Sequence, residues 1–253
     1  MPPSQRSFRV EAIVLRHSEW GEADRILTLY SRERGKLRAI AKGARRIKSR
    51  KAGHLEPFTR VTLQLSKGRD LAIITQAETV EAYIDLRDDL LRTATASTAL
   101  EMLDRFTYED ESSNVNIYHL LTETLQRIST LQDPWVAARY FEVQVLDFLG
   151  YRPQLVNCAN CGEEIAPANQ YFSVVQGGIL CPRCGAGLPG AQPVSMDALK
   201  YLRHFQRSSF TAAHQARPGM DVRAEIEVVL QSYITYLLER ELKSPGFLAQ
   251  VRN

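Results

Sequence analysis

The first third of the chain alternates hydrophobic and polar residues in short runs, which is the pattern of strands with one buried face. Five such runs predict five β-strands, at residues 8–17, 24–32, 36–41, 58–66 and 71–80. Arg34-Gly35 lies between the second and third runs and predicts a hairpin turn. Five short strands in so little sequence are typical of a small closed barrel. The OB-fold is the favoured topology, although the strand count alone does not distinguish it from an SH3-like barrel.

From residue 85 the hydrophobic residues recur at the 3.6-residue period of amphipathic helices. Helices are predicted from residue 85 to the acidic stretch at 109–111, over 115–128, from 133 to the stop at Gly150, from 195 onward, and over 222–243. The last of these helices is expected to pack back on the earlier ones. The helical segments should therefore form one domain, despite the different sequence that separates them.

That separating sequence holds all four cysteines, as the pairs Cys158–Cys161 and Cys181–Cys184. Two Cys-x-x-Cys pairs at this spacing are typical of a site in which four thiolates surround one Zn²⁺ tetrahedrally. Gly162 and Gly185 follow the pairs and are expected to permit tight turns. Residues 171–180 between the pairs predict a hairpin, and hence a zinc ribbon. Four cysteine ligands leave no position for water, so the zinc is expected to be structural.

These patterns predict an α+β multidomain fold, in which a five-stranded OB-fold barrel precedes an α-helical domain interrupted by a four-cysteine zinc ribbon. The predicted boundaries are 1–83 for the OB-fold nucleic-acid-binding domain, 84–154 together with 191–253 for the helical domain, and 155–190 for the zinc ribbon.

The most strongly charged stretch is residues 36–51, which contains no acidic residue. Its first half predicts a strand with one apolar and one cationic face, and the part after Gly43 predicts a mobile loop. A cationic strand followed by a cationic loop is typical of a surface that lies along a polyanion, and nucleic acid is the first candidate. The candidate DNA-binding residues are Lys36, Arg38, Lys42, Arg45, Arg46, Lys48, Arg50 and Lys51.

The charge distribution favours the same surface. The 253 residues carry a net charge of +3, but residues 1–83 contain 17 Lys and Arg against 9 Asp and Glu, a net +8. The basic front of the chain is therefore the part expected to meet a polyanion. Single-strand binding also needs aromatic side chains on which bases can stack. Trp20, Tyr30 and Phe58 are the local aromatics; a core role is favoured for Phe58, whereas Trp20 is harder to explain as core.

Several classes of protein are not expected from this sequence. No apolar run approaches the roughly 18 residues of a membrane span, and no apolar segment of a signal peptide follows residues 1–6. A cytoplasmic protein without a membrane partner is therefore expected. The sequence also has no Gly-x-x-x-x-Gly-Lys-Ser/Thr loop and no recognisable nucleophile–base pair. We accordingly expect a binding protein rather than an enzyme.

Several short segments, in order and spacing, resemble the amino-terminal domain of the RecO family of DNA repair proteins. They are residues 12–16, 21–26, 35–38, 41–46, 55–58 and 76–78. The resemblance continues through the helices, the cysteine module and the C-terminal tail, and it therefore covers nearly the whole chain. It implies an OB-fold that binds single- and double-stranded DNA.

The resemblance also implies a function and partners. A RecO-like recombination mediator anneals complementary strands and assists the loading of RecA onto DNA coated with single-stranded DNA-binding protein (SSB). The implied partners are DNA, RecR and the C-terminal tail of SSB, with a functional link to RecA, in the cytoplasm near the nucleoid. Two alternatives remain open at this point. One is an RNA-binding factor built from an OB barrel and a zinc ribbon, and the other is an adaptor whose basic face binds the acidic tail of a protein partner.

Overall fold

The computed structural model describes residues 7–49, 51–109, 111, 113–239, 242 and 244–252. The chain forms two compact units. The first comprises Met1–Gln132 together with Ser244–Asn253, and the second comprises Asp133–Lys243. The barrel therefore shares its unit with several helices and with the C-terminal segment. The boundaries predicted from sequence follow the type of secondary structure rather than compactness, and they stay predictions.

The first unit contains a closed barrel of five strands. These strands, β1 to β5 in chain order, are Ser7–Trp20, Asp24–Ser31, Gly35–Ala41, Arg60–Ser66 and Ala72–Glu81. Their order around the barrel is β1-β2-β3-β5-β4, with β3 and β5 parallel and the other neighbours antiparallel. This topology confirms the predicted OB-fold. Strand β1 runs past its predicted end and carries Trp20 at its tip.

The barrel core follows from the alternation of the sequence, because every second residue of a strand points inward. Its strand residues are Val10, Ala12, Val14, Leu27, Leu29, Ala39, Ala41, Val61, Leu63, Leu65 and Ile74. Ala44 and Leu55 join this core from the connection between β3 and β4. The connection contains a short 3₁₀ turn, Ala52–His54. It is therefore fastened to the barrel at two buried points.

The helices that the described residues form, α1 to α9 in chain order, are Asp85–Asp88, Leu90–Phe106, Val115–Thr130, Trp135–Phe148, Pro182–Gly185, Met196–Arg207, Phe210–Gln215, Met220–Leu238 and Ser244–Arg252. The first predicted helix is thus two, α1 and α2. They are separated at Asp89, whose side chain caps α2 by accepting a hydrogen bond from the N–H of Arg92 at 3.0 Å. Among the described helices, none combines the length and hydropathy of a membrane span.

Within the first unit, polar contacts join the barrel to α3 and join α2 to α9. The Tyr118 hydroxyl on α3 donates to Glu11 Oε1 on β1 at 2.8 Å, and Arg60 Nε donates to the same oxygen at 2.6 Å. At the chain's end, the backbone N–H and the hydroxyl of Ser244 donate to the Glu101 carboxylate at 2.7 and 2.6 Å. The C-terminal helix therefore packs on α2, a contact that the sequence analysis did not predict.

The second unit combines helices α4 and α6 to α8 with a small sheet. Strands β6 (Gln170–Ser173), β7 (Gly178–Leu180) and β8 (Gln192–Val194) form this sheet in the order β7-β6-β8. Strands β6 and β7 are antiparallel, which confirms the predicted hairpin. The sheet and the two cysteine pairs beside it are called the cysteine ribbon below. Helix α6 begins where predicted, with Ser195 as its cap.

Candidate functional site

The basic turn, defined as residues 42–49, is a compact series of turns held against the barrel. Ala44 is completely buried in the barrel core. Gly43 has a φ of +67°, which suits glycine, and its N–H donates to Asp24 Oδ1 at 2.7 Å. The N–H of Arg45 donates to the carbonyl of Ala23 at 2.9 Å. The turn is thus a hydrogen-bonded platform, whereas the sequence analysis expected a mobile loop.

Three cations of the basic turn, Lys42, Arg46 and Lys48, are exposed to solvent. Within the described part of the chain, none of their side chains forms an ion pair or a hydrogen bond. A cation of this kind gives up no protein contact when it binds a phosphate. These three side chains are therefore well placed to pair with a polyanion.

Arg45 and Lys51 are already in contact with protein groups. Arg45 Nη2 lies 3.1 Å from the Glu19 carboxylate, and its Nη1 lies 3.3 Å from the Glu22 carbonyl oxygen. Lys51 Nζ donates to the carbonyl of Ile74 at 3.1 Å. The Arg45–Glu19 ion pair is exposed, so water and ions screen it, whereas the Ile74 residue that accepts from Lys51 is buried. The remaining candidate of this loop, Arg50, lies outside the described residues.

Lys36 and Arg38 point away from the barrel core, as predicted; α2 covers Lys36, whereas Arg38 remains exposed. Only 12% of the Lys36 side chain is exposed, and its Nζ lies 2.7 Å from the carboxylate of Asp104 on α2. Arg16 Nε donates to the same carboxylate at 2.7 Å. Arg38 lies 3.7 Å from Glu109. Lys36 therefore joins the barrel to α2, and its assignment to DNA contact stays a prediction.

Asp104 is expected to stabilise the first unit in a pH-dependent way. Burial raises the pKa of Asp104, but hydrogen bonds from Lys36 and Arg16 outweigh burial and lower the pKa below its ordinary value. Because the pKa is lower in the folded protein, the stabilisation is fully present above the unfolded pKa of about 4. It is lost as the pH falls through the lower folded value. Replacing Asp104 with Asn should therefore reduce the free energy of unfolding by about 2 kcal/mol at neutral pH.

Chemical denaturation from about pH 6 down to about pH 3 would measure this difference. The difference in the free energy of unfolding between wild type and Asp104→Asn should decrease as the solution becomes acidic. The matched control is Asp88→Asn, because Asp88 is an exposed carboxylate of α1 with no ion pair among the described residues. A difference for Asp104→Asn that stays constant over this range would contradict the role given to its charge.

A groove of about 520 Å³ lies beside Lys36 and Arg38 at the start of β3. Its lining carries charges of both signs, and its acidic residues are Glu33, Asp70, Glu109 and Glu111. These carboxylates would repel a phosphate that enters the groove. The basic turn is therefore a better phosphate-binding surface than this groove.

The three aromatic candidates differ in their exposure. Tyr30 and Phe58 are buried, with 2% and 8% of their surface exposed, whereas Trp20 is 59% exposed. Burial also raises the pKa of Tyr30 to about 12, so its hydroxyl remains protonated at neutral pH. Of these three side chains, only Trp20 therefore offers a ring face on which a base can stack without rearrangement.

The cysteine ribbon brings Cys158, Cys161, Cys181 and Cys184 together. Their sulfur atoms all lie within 4.8 Å of one another, and the Sγ atoms of Cys161 and Cys181 are 3.9 Å apart. Tetrahedral coordination by thiolates at about 2.3 Å places sulfur atoms about 3.8 Å apart. The side-chain amide of Asn160 donates to Cys184 Sγ at 3.4 Å. Hydrogen bonds of this kind stabilise thiolate ligands in metal sites. The residues thus fit a four-thiolate metal site.

The crowded thiols have divergent acidities. Burial raises the pKa of Cys158, but backbone hydrogen bonds from Cys161, Cys181 and Asn160 outweigh burial and bring the pKa to about 6. For Cys184, the hydrogen bond from Asn160 lowers the pKa, but the neighbouring cysteines raise it to about 11. Four negative thiolates at this spacing repel one another, so a bound cation is needed to hold all four deprotonated.

The two glycines that follow the cysteine pairs have different roles. Gly162 has a φ of +77°, which confirms that it permits a tight turn. Gly185 lies in α5 and does not have a positive φ. A Cβ atom on Gly185 would lie only 2.5 Å from the Cβ of Tyr171. The chain does turn tightly at Gly185, whose N–H donates to the Cys181 carbonyl at 2.9 Å, but glycine is needed there because β6 approaches too closely for a side chain.

Two family models together span most of the chain. The model described as the N-terminal part of recombination protein O matches residues 5–83, and the model of the C-terminal part matches residues 87–246. The chain belongs to the RecO family. The first RecO match covers all five strands of the barrel, and the second includes the cysteine ribbon.

Individual RecO relatives match along nearly their full length. The DNA repair protein RecO of Roseiflexus sp. is 40% identical over 247 residues, which are 98% of this chain and 87% of the relative. The proteins of the same name from Desulforamulus reducens and Symbiobacterium thermophilum are each 37% identical, over 241 and 248 residues. These matches cover 95% and 97% of this chain, and 93% and 98% of the relatives. The chain is thus a DNA repair protein of the RecO family, as the resemblance predicted.

Proposed function

We propose that this protein is a recombination mediator that binds single- and double-stranded DNA through the basic turn of its OB barrel. The observation that carries the proposal is the turn itself, in which Lys42, Arg46 and Lys48 face solvent on a platform anchored by Ala44. OB-folds commonly bind single strands along a cationic surface. The net charge of +8 on residues 1–83 adds attraction at longer range.

The proposed activity is the annealing of complementary strands, which requires no bond chemistry. Two strands repel each other because every phosphate is charged. Each Lys or Arg that pairs with a phosphate releases counterions and removes part of this repulsion. Contacts to phosphates leave the base edges accessible for pairing. We therefore propose a binding protein and not an enzyme.

We propose further that the protein assists the loading of RecA onto SSB-coated DNA, together with RecR and through contact with the C-terminal tail of SSB. Membership of the RecO family supports this part of the proposal, which assigns no residues to the protein contacts. Such a role belongs to the cytoplasm, close to the nucleoid.

We propose that one Zn²⁺ occupies the cysteine ribbon, held by Cys158, Cys161, Cys181 and Cys184. The sulfur spacing and the Asn160 hydrogen bond support a four-thiolate site. When bound, the ion would cross-link the two cysteine pairs and stabilise the ribbon. Four protein ligands leave no position for a reactive water, so its role would be structural.

An annealing assay tests the proposed function. Two complementary oligonucleotides carry a donor and an acceptor fluorophore, and one of them is coated with SSB. Wild-type protein should accelerate annealing by about tenfold or more at low salt, and the acceleration should decline as salt is added, because phosphate contacts release counterions. No acceleration, with or without SSB, would contradict the proposal.

Two further results would favour a different function for this protein. Equal affinity for RNA and DNA oligonucleotides of the same sequence would favour an RNA-binding factor. Binding of an acidic peptide that depends on Arg45, Arg46 and Lys48, together with DNA binding that does not depend on them, would favour an adaptor.

A further inference from the structure

The basic turn presents one large apolar side chain, that of Ile47, to solvent. Ile47 has a relative exposure of 105%, so none of the described residues covers it. It lies between Arg46 and Lys48, which are also exposed. An isolated surface isoleucine is common. Ile47 differs from such residues because it lies among the exposed cations of the basic turn.

The platform holds Ile47 in place. The N–H of Arg46 donates to the Gly43 carbonyl at 3.1 Å, and the N–H of Ser49 donates to the Arg46 carbonyl at 2.8 Å. Ala44 anchors the same turn in the barrel core. Backbone order therefore extends to both sides of Ile47, so the side chain can enter a binding partner without a large loss of chain entropy.

Trp20 lies close to the same platform. Arg45 bridges the two segments: it pairs with Glu19 at 3.1 Å and lies within 3.5 Å of the Gly21 carbonyl oxygen. Trp20 lies between these two residues in the chain and is 59% exposed. Trp20 and Ile47 are therefore exposed apolar side chains on two segments that the contacts of Arg45 join.

We propose that Ile47 inserts between neighbouring bases of a single DNA strand while Arg46 and Lys48 hold the flanking phosphates. Trp20 stacks on another base of the same strand. Apolar side chains inserted between bases are a known means of separating them, and base stacking on aromatic rings is tolerant of sequence. The proposal rests on the proposed DNA-binding function and deepens it, because it makes the site selective for unstacked bases.

The selectivity follows from the cost of separating bases. In a duplex, insertion must break stacking within paired DNA, whereas single strands unstack more easily. Phosphate contacts by Arg46 and Lys48 are available in both forms of DNA. The apolar pair should therefore add affinity for single strands and little affinity for duplexes.

Replacing Ile47 with Ala tests this inference. No described residue covers the Ile47 side chain, so the variant should fold normally. Affinity for a single-stranded oligonucleotide should fall about tenfold, the value of one buried aliphatic side chain. Affinity for a duplex should change by less than about twofold, and the slope of affinity against salt should be unchanged, because no phosphate contact is lost.

A fluorescent base reports the insertion directly. Wild-type protein should increase the emission of 2-aminopurine in a single strand, because the base is unstacked, and Ile47→Ala should reduce this increase. Trp20→Ala should lower single-strand affinity in the same direction. The matched control is Val80→Ala, which removes another exposed aliphatic side chain of the barrel, 45% exposed at the end of β5.

The outcomes separate this inference from the function on which it rests. Wild-type protein that binds no DNA at all would overturn both. If wild type binds single strands with a steep salt dependence and Ile47→Ala binds them equally well, the inference fails and the proposed function stands. Equal losses on single strands and duplexes would also overturn selective insertion.

Discussion

Replacing Cys158 and Cys161 together with Ser is expected to abolish metal binding and to unfold the cysteine ribbon. Two thiolates remain in the variant, and serine hydroxyls are poor zinc ligands at neutral pH. Structural zinc contributes about 10–16 kcal/mol of apparent binding free energy in zinc-finger peptides. The ribbon has a sheet of only three short strands, so it is not expected to persist without the ion.

Plasma emission spectrometry should show the zinc content falling from about one ion per chain to none. Hydrogen exchange should accelerate over the ribbon strands β6, β7 and β8. Affinity for single-stranded DNA should stay within about twofold, because the basic turn belongs to the other compact unit. These three readings separate local unfolding of the ribbon from collapse of the whole protein.

The matched control for the double variant is Lys200→Ala. Lys200 lies on α6 of the same compact unit, its side chain is 60% exposed, and it pairs with Asp197 at 3.3 Å. Removing it should leave the metal content unchanged, because an exposed ion pair contributes little. Full zinc occupancy in the double-serine variant, or a metal-free wild type after purification with zinc present, would contradict the proposed site.

Changing Lys42, Arg45, Arg46 and Lys48 together to Ala is expected to weaken single-strand binding by roughly 10²–10³-fold near 0.1 M salt. Each lost phosphate contact removes about 0.7 from the slope of log affinity against log salt, so the slope should flatten by about 3. Fluorescence anisotropy of a labelled oligonucleotide at several salt concentrations measures both quantities. The barrel should remain folded, because these four side chains are exposed.

A charge-preserving variant is the control for this result. It carries the substitutions Lys42→Arg, Arg45→Lys, Arg46→Lys and Lys48→Arg. The salt slope should match that of wild type, although affinity falls modestly where the guanidinium fork of an arginine is lost. A quadruple-alanine variant whose slope equals that of wild type would move the phosphate contacts away from the basic turn.

The barrel and the cysteine site were predictable because their signals are local. The backbone of a strand imposes a period of two, so the alternation of Val61, Leu63 and Leu65 predicts which face of β4 is buried. Thiolate coordination likewise imposes a spacing of two residues between paired ligands, as in Cys158–Cys161. The start of α6 was also readable, because the Ser195 side chain caps it by accepting the N–H of Ala198 at 3.1 Å.

Local signals do not show which residues are covered by distant parts of the chain, because long-range packing decides this. Lys36 and Lys42 belong to one basic run, but Lys36 is held by Asp104, which lies 68 residues later in the chain, whereas Lys42 faces solvent. Gly185 requires the absence of a side chain because β6 lies against it, and not because of its own backbone angles.

The sequence alone was sufficient for the five strands of the barrel, the cysteine ligand set and the location of the basic run, because strand periodicity, coordination geometry and charge are encoded by neighbouring residues. Tertiary structure was needed to show which cations and aromatics remain available. The availability of Lys42, Arg46 and Trp20 depends on whether a distant helix or strand covers them. No pattern within a single strand or loop carries that information.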